Sequence, residues 1–519
     1  MNPKEAADIG IYDVYKCFDS LWLNECINDL FEAGLTNDKL KLLYLSNKTA
    51  NIAIKTSSGQ TERFSIEDIV MQGTVWAGLM CTSTMDKLCK LINSKENLLF
   101  KYRGVVNVPP LEMIDDIITA AQCGGKSLEL NETVNTFIEH KKLKLSSKKC
   151  ANIHIGTKAT RRICPNKTVD GVEMKESNKE KYLGDFINIK ANSKDTLEER
   201  KARGHAIISN ISAMLKDIPL GNRRTQIGID LRKAWFHNGC LFNSEVWGSI
   251  SEGDLKDLKI IDHKILKVIT GAQDKVPVEM LYLETSQLPI SHVISVRRIL
   301  YWHTILRRNK EELTSQIYHA MKQSPLKGDW INLLNDDLEK VNLSLEDEDL
   351  VSRFSKDSFK QLIKKKMRVL SQHELECIKS GHDKVRHIVH TNLDKPQPYL
   401  TSELFSNSQR SILFNLRSAC ERNFRDNFHN LHIDNFCQLC NLHPDSQQHA
   451  LTCSVMLKHL KPSDIETLQQ VNYEDIFGSI QDQFKITKLY QTIINTKKMI
   501  LKTSDSNTAY PGSNTGPHG

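Results

Sequence analysis

Residues 108–120 read VPPLEMIDDIITA, an apolar run interrupted by two adjacent carboxylates, Asp115 and Asp116. Burying a lone carboxylate costs on the order of several kcal/mol unless it is neutralised, hydrogen-bonded or bound to a metal. The pair therefore needs a turn that returns it to water, or a cation. A second apolar, strand-like run, starting at Ile9, reaches an acid at Asp13. If the two runs are neighbours in one antiparallel sheet, Asp13, Asp115 and Asp116 reach the same small volume. Three acids there repel one another unless divalent metal sits among them, and Mg²⁺ prefers oxygen ligands of this kind. Two such ions about 4 Å apart suit in-line phosphoryl displacement, activating a hydroxyl and stabilising the leaving oxygens. A plain β-turn carrying two acids is the competing reading, and the residues alone leave both open.

The surrounding chain alternates strand and helix patterns. LNECINDLFEAG places Leu23, Ile27, Leu30 and Phe31 at helical spacing before Gly34 stops the run. Residues 41–66 read as a helix end followed by two strands turning at Ser58–Gly59. A glycine-punctuated entry then leads into an apolar helix ending near Ile92, a further helix surrounds LELNETVNTFIEHKKLKL, and CANIHIG reads as a strand. This mixture predicts an α+β layer fold through about residue 160. From 170 to about 345 the spacing predicts an essentially helical body, broken near Pro219–Gly221 and Pro277.

Other classes are excluded or weakened. No run approaches the roughly 18–20 consecutive apolar residues of a membrane span, and the first twenty residues lack the basic start and apolar core of a secretory signal. The 13 cysteines are mostly scattered singly, which argues for a reducing compartment rather than a disulfide framework. A net charge of +7 spread over 519 residues permits a polyanionic partner without establishing one.

Two later segments carry chemistry of their own. In SRFSKDSFKQLIKKKMRVL, Lys360, Lys364 and Arg368 recur at helical spacing, as a solvated face or as a row of phosphate contacts. FCQLCNLHPDSQQHALTCSVM holds Cys437, Cys440, His449 and Cys453 in a C-x2-C-x8-H-x3-C pattern. Three thiolates and an imidazole can enclose a structural Zn²⁺ with no position left open for catalysis, and reduced thiols in a small core are the alternative.

Read together and in order, YDVYKCFDSLW (12–22), IVMQGTVWAGLM (69–80), LEMIDDIIT (111–119), KLKLSSKKCANIHIG (142–156) and KYLG (181–184) resemble the palm motifs of reverse transcriptases. The resemblance is strongest to those of non-long-terminal-repeat retrotransposons. It implies Asp13 and Asp115 as magnesium ligands, with Asp116 as the supporting acid. It places Phe18 beneath the sugar of the incoming nucleotide, Gln72–Gly73 at the turn that approaches template and nucleotide, Lys149 near the triphosphate, and KYLG in the hairpin that grips the primer. The chain departs from the family at Met113–Ile114, where an aromatic and an alanine are usual, and after Gly73, where serine-proline is usual. Only twelve residues precede Asp13, so most of the fingers region is expected to be missing and the chain to be truncated at its amino terminus.

The Cys-Cys-His-Cys pattern resembles the knuckle of the class that also encodes a restriction-like endonuclease, although no convincing nuclease arrangement follows Cys453. The implied organisation is a partial palm at 1–165, a helical thumb-like and connector region at 166–345, and a basic helical connector at 346–395. A carboxy-terminal module with the knuckle at 396–503 and a disordered tail at 504–519 complete it. The implied function is RNA-templated DNA synthesis, impaired by loss of the fingers. The implied partners are an RNA template, a DNA primer or target DNA, and deoxynucleoside triphosphates, with no membrane and a nuclear location if the chain acts in retrotransposition. An inactive nucleic-acid-binding remnant is the alternative, and a helical protein-interaction scaffold is a third class.

Overall fold

The computed structural model describes residues 6–48, 51–65, 68, 70–122, 124–157, 166–218, 223–248, 250, 252–382, 385–386, 388, 394–425 and 435–507. The chain separates into two compact units, one of residues 1–196 with 307–331, the other of 197–306 with 332–519.

The first unit is built on a five-stranded sheet. Its strands are β1 (Ala7–Asp13), β2 (Leu111–Met113), β3 (Asp116–Gln122), β4 (Ala151–Ile155) and β5 (Lys175–Glu176), in the spatial order β5-β4-β1-β3-β2. β1 lies in the middle, antiparallel to both β4 and β3. Strands covered on both faces read as continuous apolar runs, which is why IGIY shows no polar alternation. One buried polar group in β1 is fully matched. Asp8 accepts from Ser127, from Asn152 Nδ2 at 2.9 Å and from Lys167 Nζ at 3.0 Å. Gly10 is required by packing, because a Cβ there would lie 2.7 Å from the Tyr12 hydroxyl oxygen.

Alternation along β1 sends its even and odd residues to opposite faces. Tyr12, with Ile117 and Ala121 of β3, joins the core formed with α1 (Cys17–Ser20), α2 (Leu23–Glu32), α3 (Ala77–Asn93) and α4 (Gly125–His140). Ile11, with Ile118, Ile153 and Ile155, forms a small cluster on the other face, against Tyr182 and Ile187. Those two residues come from the hairpin of β6 (Lys179–Tyr182) and β7 (Asp185–Asn188).

The expected helical body from residue 170 is corrected here, since strand pairing continues to Asn188. Two tight hairpins lie here, turning at Asp170–Gly171 (φ +50° and +74°), which the sequence reading does not include, and at Leu183–Gly184 (φ +46° and +90°), within KYLG. Both are two-residue turns with two left-handed positions, the geometry that matches strand twist and for which Asp-Gly is a strong signal. The earlier turn falls at Ser57–Ser58, one residue before the expected place, with Thr56 paired to Gly59. Residues 307–331 also interrupt the expected 166–345 body. The helix Leu313–Gln323 packs on the strand Val106–Val108, and Arg103 bonds the carbonyls of Ala320 and Ser324 and the carboxylate of Asp329.

The second unit is helical. Its elements include α5 (Arg223–Leu231), α6 (Glu252–Thr270), α7 (Val278–Thr285), α8 (Ile290–Leu306), α9 (Lys356–Ser380), α10 (Asn407–Arg417) and α11 (Ile480–Asn507). A π-helical turn, Arg232–His237, follows α5 directly. α9 is the basic helix read from the sequence, extended to Ser380. Ser355 caps it by accepting from the Ser358 amide at 3.2 Å, and Phe359, Ile363, Met367 and Leu375 form its buried seam. The Cys/His segment is not a free-standing module, because Cys437, Ala450, Leu451, Cys453 and Met456 share one continuous core with α6, α7, α10 and α11. α11 runs to Asn507, and the rest of the expected tail lies outside the described residues, as does the expected break at 219–221. No helix among the described residues is long and apolar enough to cross a membrane.

Candidate functional site

β1 and β3 bring the acids together. Asp13 is directly opposite Asp116 in the antiparallel register, one step beyond the Tyr12–Ile117 pair. Both continue the odd-face row of Ile11 and Ile118 and line a cleft of about 320 Å³, together with Lys148, Lys149, Lys175, Lys181 and Tyr182. Asp115 sits in the two-residue turn between β2 and β3, beside Ile114 at φ +65°. A left-handed backbone is rare for a β-branched residue, and strain of this kind persists where surrounding packing over-determines it. Ile114 packs partly buried against the core, and its carbonyl accepts from Cys81 Sγ at 3.4 Å.

The electrostatics follow from this crowding. Burial, and then the charges of Asp115 and Asp13, push the Asp116 carboxyl above its ordinary value, with Lys149 opposing them. Lys149 donates to Asp13 Oδ2 at 3.0 Å, although its side chain is 69% exposed. That bond and the Asp13 charge, followed by the charges of Asp115 and Asp116, hold its ammonium above the usual lysine value. Lys149 is thus the cation in direct contact with Asp13, while Lys148, Lys175 and Lys181 stand further along the cleft wall. Clustered carboxylate oxygens are the donor type a divalent cation such as Mg²⁺ takes.

A layer of thiols lies beneath the acids. Cys17 and Cys81 approach within 3.1 Å, sulfur to sulfur, and Cys150 lies 3.5 Å from the Asp13 amide nitrogen. Burial pushes the Cys150 thiol up to about 11, which keeps it protonated and adds no charge to the site.

The other expected residues are placed as follows. Phe18, in α1, packs partly buried against the core. Gln72 and Gly73 form an exposed turn, with Gly73 at φ +87°, a conformation that an L side chain rarely adopts. KYLG is the tip of the β6–β7 hairpin, and its Lys181 and Tyr182 line the acidic cleft. Sequence reasoning quoted that motif without singling these two out. Their place on a hairpin strand with a left-handed Leu-Gly turn was the available signal.

In the second unit, Lys360, Lys364 and Arg368 lie on α9. Burial, and then Lys360, Lys233 and Arg368, lower the Lys364 ammonium.

Cys437, Cys440, His449 and Cys453 bring one ligand atom each to within 4.8 Å of one another. The Cys440 sulfur is 3.3 Å from His449 Nε2, and the Cys437 and Cys453 sulfurs are 3.9 Å apart. The loop is tightly shaped, with the Cys437 amide donating to the His443 carbonyl at 2.7 Å and Asn441 at φ +52°. Ser446 accepts from the His449 amide at 3.0 Å, fixing the third ligand. Asp445 is locked to Lys497 of α11 by bonds of 2.6 and 2.7 Å. Burial pushes the Cys437 thiol up to about 11. At Cys440 burial also acts upward, but the Leu442 and His443 amides and the neighbouring thiols outweigh it and lower the value. The set fits zinc in ligand type and spacing.

Residues 4–186 match the family described as reverse transcriptase (RNA-dependent DNA polymerase), and this part of the chain is a reverse transcriptase domain. No curated protein matches the chain. Among solved structures, apo telomerase from Candida tropicalis aligns with a TM-score of 0.31 at 15% identity, over 69% of this chain and 53% of that one. Telomerase from Candida tropicalis in complex with the TWJ fragment of telomeric RNA aligns at 0.31 and 13%, over 72% and 48%. The corresponding Candida albicans complex aligns at 0.28 and 11%, over 69% and 50%. The chain spans about half the length of these proteins.

Proposed function

We propose that the chain is the reverse transcriptase of a non-long-terminal-repeat retrotransposon of the class associated with a restriction-like endonuclease, and that it extends a DNA primer on an RNA template from deoxynucleoside triphosphates. The observation that carries this reading is the in-register pair of Asp13 and Asp116, with Asp115 in the adjoining turn. Asp13 and Asp115 would hold magnesium and Asp116 would support them. Bound there, the metal would supply activation of the primer hydroxyl and stabilisation of the leaving oxygens.

The chain's own groups do the positioning. Lys149 neutralises Asp13 in the resting site, and its exposed side chain is free to swing to a triphosphate once the acids have another cation. Phe18 is the candidate floor for the sugar, and Gln72–Gly73 presents bare backbone to template and nucleotide. The β6–β7 hairpin places Lys181 and Tyr182 beside the acids, where a primer end would lie. Lys360, Lys364 and Arg368 would contact nucleic-acid phosphates, and the Cys/His group would hold a structural zinc.

The test is primer extension by the full chain on an RNA template with Mg²⁺, comparing Asp13→Asn and Asp115→Asn. Extension lost in both variants is the expected result. Absence of extension in the unmodified chain, with primer-template still bound, would replace this reading with that of an inactive nucleic-acid-binding remnant.

A further inference from the structure

The second unit contains a cleft of about 700 Å³ that the acidic site does not account for, lined by Lys233, His237, Asn238, Lys360, Lys364 and Arg368 among others. That is the size of a small-molecule or nucleotide site. Three elements supply its cations, among which Arg297 of α8 is already engaged with the carbonyls of Leu241 and His237. Lys360, Lys364 and Arg368 stand at successive i, i+4 positions of α9, beside the buried seam that anchors the helix. Lys233 comes from the π-helical turn, a rare form that recurs at functional sites. There the neighbouring Arg232 turns inward to Asp262 at 2.6 Å, while Lys233 remains in the cleft wall.

The charges in this cleft are not balanced. Among the described lining residues Asp230 is the one carboxylate, and it accepts from Gln226 at 3.0 Å. Arg368 is met by Asp394 at 3.1 Å, a surface carboxylate whose side chain is 82% exposed and easily exchanged. Lys364 is lowered in part by Lys360, Lys233 and Arg368, so the four cations share one field. A second observation is independent of charge. Burial, followed by Arg232, holds His237 down at about 3, so its ring is neutral, and its Nε2 is shielded from water without a hydrogen-bond partner. A wall of like charges with an unmet polar group behind it is stabilised by an anion of high charge density.

We infer that this cleft binds a multiply charged phosphate group, carried either by the backbone of a single-stranded nucleic acid or by a free polyphosphate. The inference rests on the reading of the basic face of α9 as phosphate-contacting, and not on polymerase chemistry. Lysine ammonium groups act on phosphate as point charges, and Arg368 and Asn238 add directional donors.

The experiment is calorimetric titration of the full chain with inorganic tripolyphosphate in EDTA, which removes any metal-dependent contribution from the acidic site. One tripolyphosphate per chain is expected, with affinity reduced at least tenfold in Lys233→Glu/Lys364→Glu and partially in Lys233→Gln/Lys364→Gln. Circular dichroism melting checks that these exposed substitutions leave the fold intact. Displacement of the tripolyphosphate by a single-stranded RNA dodecamer, with a salt dependence that flattens in the charge-reversal variant, assigns the phosphate to a strand. Retention of tripolyphosphate against the RNA assigns it to a free polyphosphate. Binding that is unchanged by either double variant, no binding at all, or tighter binding of a polyglutamate peptide overturns the inference. Asp13→Asn should abolish extension while leaving the titration unchanged, so the two readings fail separately.

Discussion

The acidic cleft and the Cys/His group are the two places proposed to hold a cation, and their residues are gathered in opposite ways. Asp13 is far in sequence from Asp115 and Asp116, and the three meet because β1 pairs with β3. The four Cys/His residues lie within one short stretch of chain, 437–453, and local bonds such as Cys437 to His443 shape it. The first site therefore depends on a completed sheet and relies on Lys149 in the resting state. The second needs little beyond its own turns, yet it is cemented into a shared core. Loss of an acid should thus leave structure intact and remove chemistry, whereas loss of a thiolate should do the reverse.

The largest effect expected from this contrast is catalytic. Asp13→Asn and Asp115→Asn should each reduce primer extension by about 10³-fold or more, with an unchanged melting profile. Comparable loss of helix content in either variant would show that the acids are structural.

Zinc removal should act on stability first. Because Cys437 and Cys453 lie in the core that holds α10 and α11, chelation or Cys437→Ser should lower the melting temperature of the second unit by roughly 10 °C or more. Extension should fall only as far as the second unit is needed to hold nucleic acid. Metal analysis of the full chain under reducing conditions should find one zinc, and an unchanged melt after its removal would break the contrast.

A smaller effect is in pH. Asp116 is raised above an ordinary aspartate by burial and by Asp115 and Asp13, so it keeps its proton to higher pH. Magnesium needs the charged form. The concentration of Mg²⁺ giving half-maximal extension should therefore rise as pH falls, beginning above the region near 3.9 where a free aspartate titrates. Asp116→Asn should remove that dependence from whatever activity remains, and an unchanged profile would mean that Asp116 does not face the metal.

Much of this contrast was legible in the sequence because its informative residues are chemically committed. Asp115–Asp116 inside an apolar run and the C-x2-C-x8-H-x3-C pattern each narrow the possible environments to a few. Two apolar runs each meeting an acid suggest strands of one sheet, whereas the register that sets Asp13 opposite Asp116, with the turn at Ile114–Asp115, is visible only in the fold. What stayed hidden was set by short elements and by tertiary context. The hairpin at Asp170–Gly171 has strands of two residues each, too short for period-two alternation to outweigh the neighbouring helical spacing. The π-helical turn at Arg232–His237 leaves no signature in spacing, and the partner of its Arg232, Asp262, lies thirty positions away. The return of residues 307–331 to the first unit is made by contacts distant in sequence, among them the bonds of Arg103, which no local pattern announces.

The smallest effect tests the cost of holding acids together without metal. A carboxyl whose folded value is raised binds its proton more tightly in the folded state than in the unfolded chain. Folding stability is therefore lost as pH rises from the unfolded value through the raised folded value, and the full penalty is present above it. Asp116→Asn removes the penalty by replacing the charge with a neutral group of the same shape, leaving Asp13 to its 3.0 Å bond with Lys149. In EDTA at neutral pH this variant should melt higher than the unmodified chain, by on the order of 1–2 °C for the first unit. The difference should shrink as pH falls through the raised Asp116 value and be gone below about 4, where both chains carry an uncharged group at this position. Saturating Mg²⁺ should reverse the order, because the unmodified site then gains a ligand that stabilises only its folded form. A variant that melts lower in EDTA would mean that Asp116 makes a stabilising bond in the resting site, and the acids would then be a structural cluster instead of one strained for function.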